Sequence, residues 1–222
     1  MKTKHPNFKL NVSALHLFVF LFATHFVKSQ EIAITERGDS VVLFSNGTWN
    51  YYSKNSLLSK APIKLNTKSF TKPSSSTNKI NGKKQAYELW YNSQKWKRLP
   101  PGELNEDADI ALQMTDGDVY AMIIYEELEI PVENLSQIAL DNGIKVTPDI
   151  KMIEREKRIV NNDTLIFMRM DGTTQGMKIA YYSYYVSGKS GSIQFHTFTG
   201  QALLEKHLKA IEELLNGLIL TK

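Results

Sequence analysis

Side chains able to perform acid–base, nucleophilic or metal chemistry are sparse in this 222-residue chain. It contains no cysteine, and beyond residue 29 its only histidines are His196 and His207. Catalytic zinc normally takes three protein ligands from His, Cys, Asp and Glu, so two histidines eleven residues apart favour no zinc centre. We therefore expect no metal and no cofactor.

Two short motifs imitate ligand-binding loops without meeting their requirements. Gly188-Lys189-Ser190 matches the end of a phosphate-binding loop, but Ser183 occupies the position of the earlier glycine and a strand follows instead of a helix. The acidic run from Asn105 to Asp116 has the spacing of a calcium loop, but Ile110 stands at the sixth position, where that loop needs glycine. Both segments are interpreted as turns.

A hairpin near the C-terminus provides the best candidate recognition surface. If Ser187–Gly191 is a five-residue loop, antiparallel pairing places Tyr184 opposite Gln194 and Tyr182 opposite His196. One face then offers aromatic area together with hydroxyl, amide and imidazole groups, as expected of a binding surface. A shift of one residue in register would exchange the faces, and a covering helix would make this face part of the core.

Catalysis is the alternative use of the same hairpin. A Ser-His-Asp site is assembled by geometry rather than by sequence spacing, so a hydrolase that uses His196 as its base is a second hypothesis. No nucleophile stands out in the sequence. We therefore predict a non-enzymatic protein with no catalytic residue.

The elements that position these residues follow from hydrophobic periodicity. Helices are predicted from Pro131 to Asn142, with Gly143 as the stop, and from Gln201 to Leu218, where leucine and isoleucine form one stripe. Strands are predicted at Tyr87–Tyr91, Ile110–Met114, Val119–Tyr125, Ile150–Arg158, Thr164–Met170, Gln175–Val186 and Ser192–Thr199. This order predicts an α+β domain over residues 85–222, a mainly antiparallel sheet covered by helices.

The N-terminal part of the chain has three predicted segments. Residues 1–29 have a lysine-rich start and an apolar run from Ala14 to Val27, which is typical of a secretory signal peptide. Residues 30–52 predict a small β-meander with an Asn46-Gly47 turn. Residues 53–84 contain eight lysines and no acid, and predict a flexible basic linker with weak attraction to an anionic envelope surface.

The charge balance excludes a strongly basic protein. Removing the four lysines of residues 1–29 leaves 23 basic and 23 acidic residues, so we expect no nucleic-acid partner. Because the chain has no cysteine, it cannot be lipid-anchored through one. These features predict a periplasmic or secreted protein.

The predicted domain resembles the PsbP-like superfamily, an α/β/α sandwich that includes photosystem accessory proteins and DcrB-type periplasmic proteins. The resembling segments are Tyr91–Trp96, Val119–Ala121, Gly176–Tyr185, Gln194–Thr199 and Ile211–Leu215. The resemblance implies accessory, chaperone or binding roles and no catalytic residue.

The N-terminal segment also carries a resemblance. It is similar to the V-x-L…G-T-W openings of secreted proteins of Gram-negative bacteria, through Val42, Leu43, Gly47, Thr48 and Trp49. We therefore expect an exported accessory or binding protein of the bacterial envelope that recognises a protein or an apolar ligand. The alternatives are the His196 hydrolase and a structural module anchored through the linker and meander.

Overall fold

The computed structural model describes residues 31–34, 40–43, 49–51 and 62–221. The predicted signal peptide and residues 52–61 lie outside these ranges. Near the N-terminus, three short strands pair antiparallel in the order β1-β2-β3, within the span of the predicted meander. They are β1 (Glu31–Ile34), β2 (Ser40–Leu43) and β3 (Trp49–Tyr51).

From residue 62 onward the chain builds two further sheets. Eight strands form the main sheet in the order β4-β10-β11-β12-β13-β9-β8-β7, and all pairs are antiparallel except β4 with β10. Its strands are β4 (Leu65–Phe70), β7 (Trp96–Arg98), β8 (Ala108–Met114), β9 (Val119–Glu126), β10 (Lys151–Val160), β11 (Asp163–Thr174), β12 (Met177–Gly188) and β13 (Gly191–Gly200). A second sheet, in the order β14-β6-β5, consists of β5 (Asn78–Asn81), β6 (Tyr87–Tyr91) and β14 (Leu218–Leu220).

Two helices cover opposite faces of the main sheet. They are α1 (Val132–Val146) and α2 (Gln201–Leu215). Because side chains alternate between the faces of a strand, the central strands supply two apolar cores. The core beneath α2 includes Leu112, Ile123, Phe167, Tyr184, Phe195 and Ile211. The core beneath α1 includes Tyr120, Leu135, Ile166, Met168, Tyr185 and Phe198. The predicted α+β fold class is confirmed.

The helix ends differ from the prediction for local reasons. Helix α1 continues through Gly143, which is buried and lets Ile150 approach the helix closely. It ends at Val146 because Pro148 disfavours a helical conformation at Thr147. Helix α2 ends at Leu215 rather than at Leu218.

The turn after α2 leads into β14. A Cβ on Gly217 would lie 1.8 Å from the carbonyl oxygen of Trp90, so only glycine permits this approach. The Trp90 N–H donates to the Gly217 carbonyl at 2.9 Å and holds the turn against β6. The last residues therefore form a strand instead of extending the helix.

The described part of the predicted linker belongs to the folded domain. Strand β4 pairs in parallel with β10, and β5 pairs with β6. The Phe70 ring lies 4.7 Å from the guanidinium carbon of Arg158. The prediction of a flexible segment is wrong for residues 65–84, because tertiary pairing orders a stretch that is poor in apolar residues. The domain boundary moves from residue 85 to about residue 62.

Candidate functional site

The hairpin of β12 and β13 has a tighter turn than the sequence suggested. Gly188 pairs with Gly191, so Lys189 and Ser190 alone form the loop. Gly191 has φ of 115°, a conformation that strongly favours glycine. The register places Tyr184 opposite Phe195 and Tyr182 opposite Thr197.

This register separates the four predicted surface residues. Tyr182 and Tyr184 lie in the core beneath α2, whereas Gln194 and His196 lie beneath α1. The five-residue loop and the shared face are therefore wrong, because a shift of one position sends β13 side chains to the opposite face.

The two tyrosines are structural. Tyr182 is 6% exposed and Tyr184 is fully buried. Their hydroxyls donate to Glu212 and to the side-chain oxygen of Asn216, both at 2.8 Å. Burial raises the pKa of Tyr184 to about 12, so its phenol stays neutral. These contacts join α2 to the sheet and leave neither side chain available to a partner.

Between the tyrosines and β4 lies a buried arginine that sequence reasoning missed. The guanidinium carbon of Arg158 lies 3.7 Å from the centroid of the Phe167 ring, with Phe70 also in contact. Its Nε donates to Glu156 Oε1 at 2.6 Å, and Nη1 donates to the Tyr184 hydroxyl at 3.4 Å. The contacts are internal, so Arg158 connects elements of the fold.

The face beneath α1 contains a cleft of about 210 Å³. Its floor comes from the central strands, and Ala139, Asn142 and Gly143 of α1 form one wall. The apolar lining residues are Met122, Ile124, Ala139, Gly143, Ile150, Met170, Tyr181 and Phe198, and the polar ones are Asn105, Asp107, Glu126, Asn142, Gln194 and His196. Two of the four predicted residues thus meet in a concave site.

His196 contributes a titratable side chain to the cleft floor. Its Nδ1 lies 3.1 Å from Ser183 Oγ, and its ring packs edge-on against Tyr185 at 5.7 Å between centroids. Burial lowers the pKa of His196 to about 4. The imidazole is therefore neutral at neutral pH, with one nitrogen that donates and one that accepts a hydrogen bond.

The carboxylates of the cleft come from Asp107 and Glu126. Asp107 is placed by a turn in which its N–H donates to the Asn105 side-chain oxygen at 2.7 Å. Burial, and then the negative charge of Asp107, raises the pKa of Glu126, while Lys83 opposes the rise. In the sequence, Asp107 stood out only as part of the Asn105–Asp116 segment that imitates a calcium loop.

The geometry gives little support to nucleophilic or metal chemistry. The Ser183–His196 contact resembles two members of a hydrolytic triad, but Ser183 is fully buried and cannot reach a substrate. His207 lies on α2, on the other side of the sheet from His196. Within the described ranges, no three His, Cys, Asp or Glu side chains could jointly hold a metal ion.

Several solved structures are similar to part of this chain. No protein-family model and no curated protein matches the chain. The solved structure of the PsbP protein CyanoP from Synechocystis is 14% identical, with 66% of this chain and 94% of that chain covered and a TM-score of 0.48. LpqN from Mycobacterium tuberculosis, described as involved in cell envelope biogenesis, is 11% identical, with coverage of 65% and 90% and a TM-score of 0.45.

A third structure is a Pseudomonas aeruginosa protein of unknown function described as a putative regulator. It is 14% identical, with coverage of 61% of this chain and 92% of that one and a TM-score of 0.42. These matches assign no site or activity to this chain, and membership of the superfamily stays a prediction.

Proposed function

We propose that this protein is a non-enzymatic binding protein of the bacterial envelope whose ligand site is the cleft beneath α1. The observation that supports the proposal is the composition of the cleft: an apolar floor that includes Met122, Met170 and Phe198 adjoins the neutral side chains of Gln194 and His196. Ligand sites commonly combine an apolar lining with a few convergent polar groups.

The size of the cleft limits the ligand. Sites for drug-sized molecules begin at about 300 Å³, and this cleft has about 210 Å³. We therefore expect a small molecule, or one side chain of a protein partner, rather than a long acyl chain. The apolar floor favours an apolar body on that ligand.

Location in the envelope rests on the signal-like residues 1–29. Neither helix in the described part of the chain is long and apolar enough to cross a membrane.

Anchoring through the basic segment has less support than binding in the cleft. Lys79 pairs with Glu88 at 2.7 Å, Lys84 pairs with Glu127, and the Lys72 ammonium lies 4.7 Å from the centroid of the Trp90 ring. These lysines already contact acidic or aromatic groups of the domain. They are therefore less available to an anionic surface.

Binding of 2-phenylethanol, followed by backbone amide NMR shifts, tests the proposal. We expect shifts concentrated at Gly143, Gln194 and His196. The variant Ala139→Phe should abolish them, because its ring would fill the cleft from the α1 wall.

The matched control is Ala202→Phe, which adds the same ring at an exposed position on α2. It should leave binding unchanged, and circular dichroism would check that both variants keep the fold. Shifts that persist in folded Ala139→Phe would contradict the proposed site.

A further inference from the structure

We propose that an internal water molecule lies beneath helix α1 and bridges the Nε of Arg155 and the hydroxyl of Tyr185. This water site is separate from the proposed ligand cleft and is expected whether or not the cleft binds a ligand. Its occupant is a single neutral molecule that both donates and accepts hydrogen bonds.

Two buried polar groups beneath α1 lack a hydrogen-bond partner in the described part of the chain. Tyr185 is fully buried, and its hydroxyl bonds to no other group within residues 62–221. The Nε of Arg155 is also shielded from solvent and unpartnered among those residues. Buried polar groups in proteins nearly always have a partner, and an ordered water often supplies it. One water between the two groups would satisfy both.

The sheet register brings the two groups within reach of one water molecule. Strand β11 lies between β10 and β12, and on it Met168 pairs with Arg155 while Ile166 pairs with Tyr185. Strands about 4.8 Å apart and a rise of about 3.4 Å per residue place the Cα atoms of Arg155 and Tyr185 about 12 Å apart. An arginine and a tyrosine that point towards each other span this distance with one water between them.

The side chains around Arg155 leave its Nε without another acceptor. Ile166 and Met168, which lie between it and β12, are buried and apolar. On α1, Ser136 Oγ accepts from Arg155 Nη2 at 2.6 Å, so this hydroxyl serves another nitrogen of the same guanidinium. The Nε–H therefore needs an acceptor from outside the protein.

The hydroxyl of Tyr185 is in a similar position. Burial raises the pKa of Tyr185, and the nearby Ser183 hydroxyl and Arg155 charge oppose this rise. Ser183 is engaged elsewhere, because its Oγ lies 3.1 Å from His196 Nδ1. A water that accepts from the Nε–H of Arg155 has a second acceptor site and two donors for the phenol oxygen.

The charge balance favours water over an anion at this site. Burial lowers the pKa of Arg155, and the nearby negative charge of Glu133 opposes the fall. The Glu133 carboxylate also pairs with Lys157 at 2.8 Å. A bound anion would add a second negative charge close to Glu133 and would lose its own hydration. A neutral molecule avoids both penalties.

The water would join the wall of the cleft to its floor. Arg155 Nη2 donates to the Glu133 carbonyl of α1 at 2.8 Å. Tyr185 packs edge-on against the His196 ring of the cleft floor. A bridge between Arg155 and Tyr185 therefore connects the first turns of α1 to the strand that supports His196.

NMR spectroscopy of the full chain tests the site directly. We expect a nuclear Overhauser contact between water and the Nε proton of Arg155, with the sign that marks a bound, long-lived molecule. Oxygen-17 relaxation dispersion provides a second measurement, because it counts the internal waters that exchange slowly.

The variant Tyr185→Phe removes only the hydroxyl. It should contain about one slowly exchanging water fewer than the wild type, and the water contact of Arg155 should disappear. The matched control is Tyr125→Phe, because the Tyr125 hydroxyl donates to the Ser190 carbonyl at 2.7 Å at an exposed position. This control should keep the water count of the wild type, and circular dichroism would check that both variants are folded.

A wild-type protein without a long-lived water at the Nε proton of Arg155 would overturn the inference, and this result needs no variant. Equal water counts in the wild type and in folded Tyr185→Phe would also overturn it, because the hydroxyl would then have a protein group such as Ser183 as its partner. If the Arg155 Nε–H resonance shifts with chloride at constant ionic strength and shows no water contact, an anion occupies the site and the inference fails.

Discussion

Acid should destabilise this protein through His196 specifically. Burial lowers the pKa of His196 in the folded state to about 4, whereas in the unfolded chain it has its ordinary value of 6.5. Between these pH values the unfolded chain binds a proton that the folded chain excludes. The free energy of unfolding therefore has its full value above pH 6.5 and falls as the pH decreases towards 4.

The magnitude follows from the difference between the two pKa values. At about 1.4 kcal/mol per pH unit, a pKa that is lower by about 2.5 corresponds to roughly 3.5 kcal/mol. The His196 side chain is partly exposed to solvent, which reduces the expected loss to roughly 2 kcal/mol. The groups facing the imidazole are Ser183 and Tyr185 from β12 and Met122 from β9, with Asp107 and Glu126 in the same cleft. None of these is a cation.

Urea unfolding at about pH 7.5 and pH 4 measures this effect in the wild type and in His196→Asn. Asparagine retains a group that can bond to Ser183, and it does not titrate in this range. The wild type and the variant share all other titrating groups. The difference between their losses of unfolding free energy therefore measures the contribution of His196. We expect the wild type to lose roughly 2 kcal/mol more than the variant.

Equal losses in the two proteins would refute the reasoning. So would an NMR titration of the His196 ring that gives an ordinary pKa near 6.5, since the imidazole would then be solvated in the folded state.

Two further predictions concern stability at neutral pH and can be checked by urea unfolding. Arg158→Ala should lower the free energy of unfolding by about 3–5 kcal/mol, because it removes the ion-pair partner of Glu156 and empties the space between Phe70 and Phe167. Arg158→Met should lose clearly less stability, and equal losses would contradict this account. Gly217→Ala should cost more than about 2 kcal/mol, because its Cβ would meet the Trp90 carbonyl; a variant as stable as the wild type would show that the turn can move.

Local hydrophobic patterns were sufficient to locate most strands of the central sheet. The segments at β8, β9 and β11 are dense in apolar residues, so periodicity alone locates them. In contrast, β4 has the sequence LNTKSF, with little apolar alternation. Its strand conformation depends on pairing with β10 and on the contact of Phe70 with Arg158, partners about 90 residues away in the sequence. Such partners are invisible to a local pattern.

In the candidate site, too, local sequence patterns predicted some features and tertiary contacts decided the others. The sequence pointed to Gln194 and His196 as polar groups on a strand, and the structure places both in the cleft. The choice of Tyr182 and Tyr184 failed because the turn has two residues instead of five. Asp107 was noticed only within a rejected calcium motif.

The sequence by itself determined the fold class, most of the central strands and the approximate extent of both helices, because these depend on periodicities of two and 3.6 residues that act over short distances. Only the tertiary structure decided which side chains meet. The register of one hairpin sent Tyr184 to the core and His196 to the cleft, and the packing of α1 created the cleft wall. Those outcomes depend on turn geometry and on contacts between distant segments, which short-range patterns do not encode.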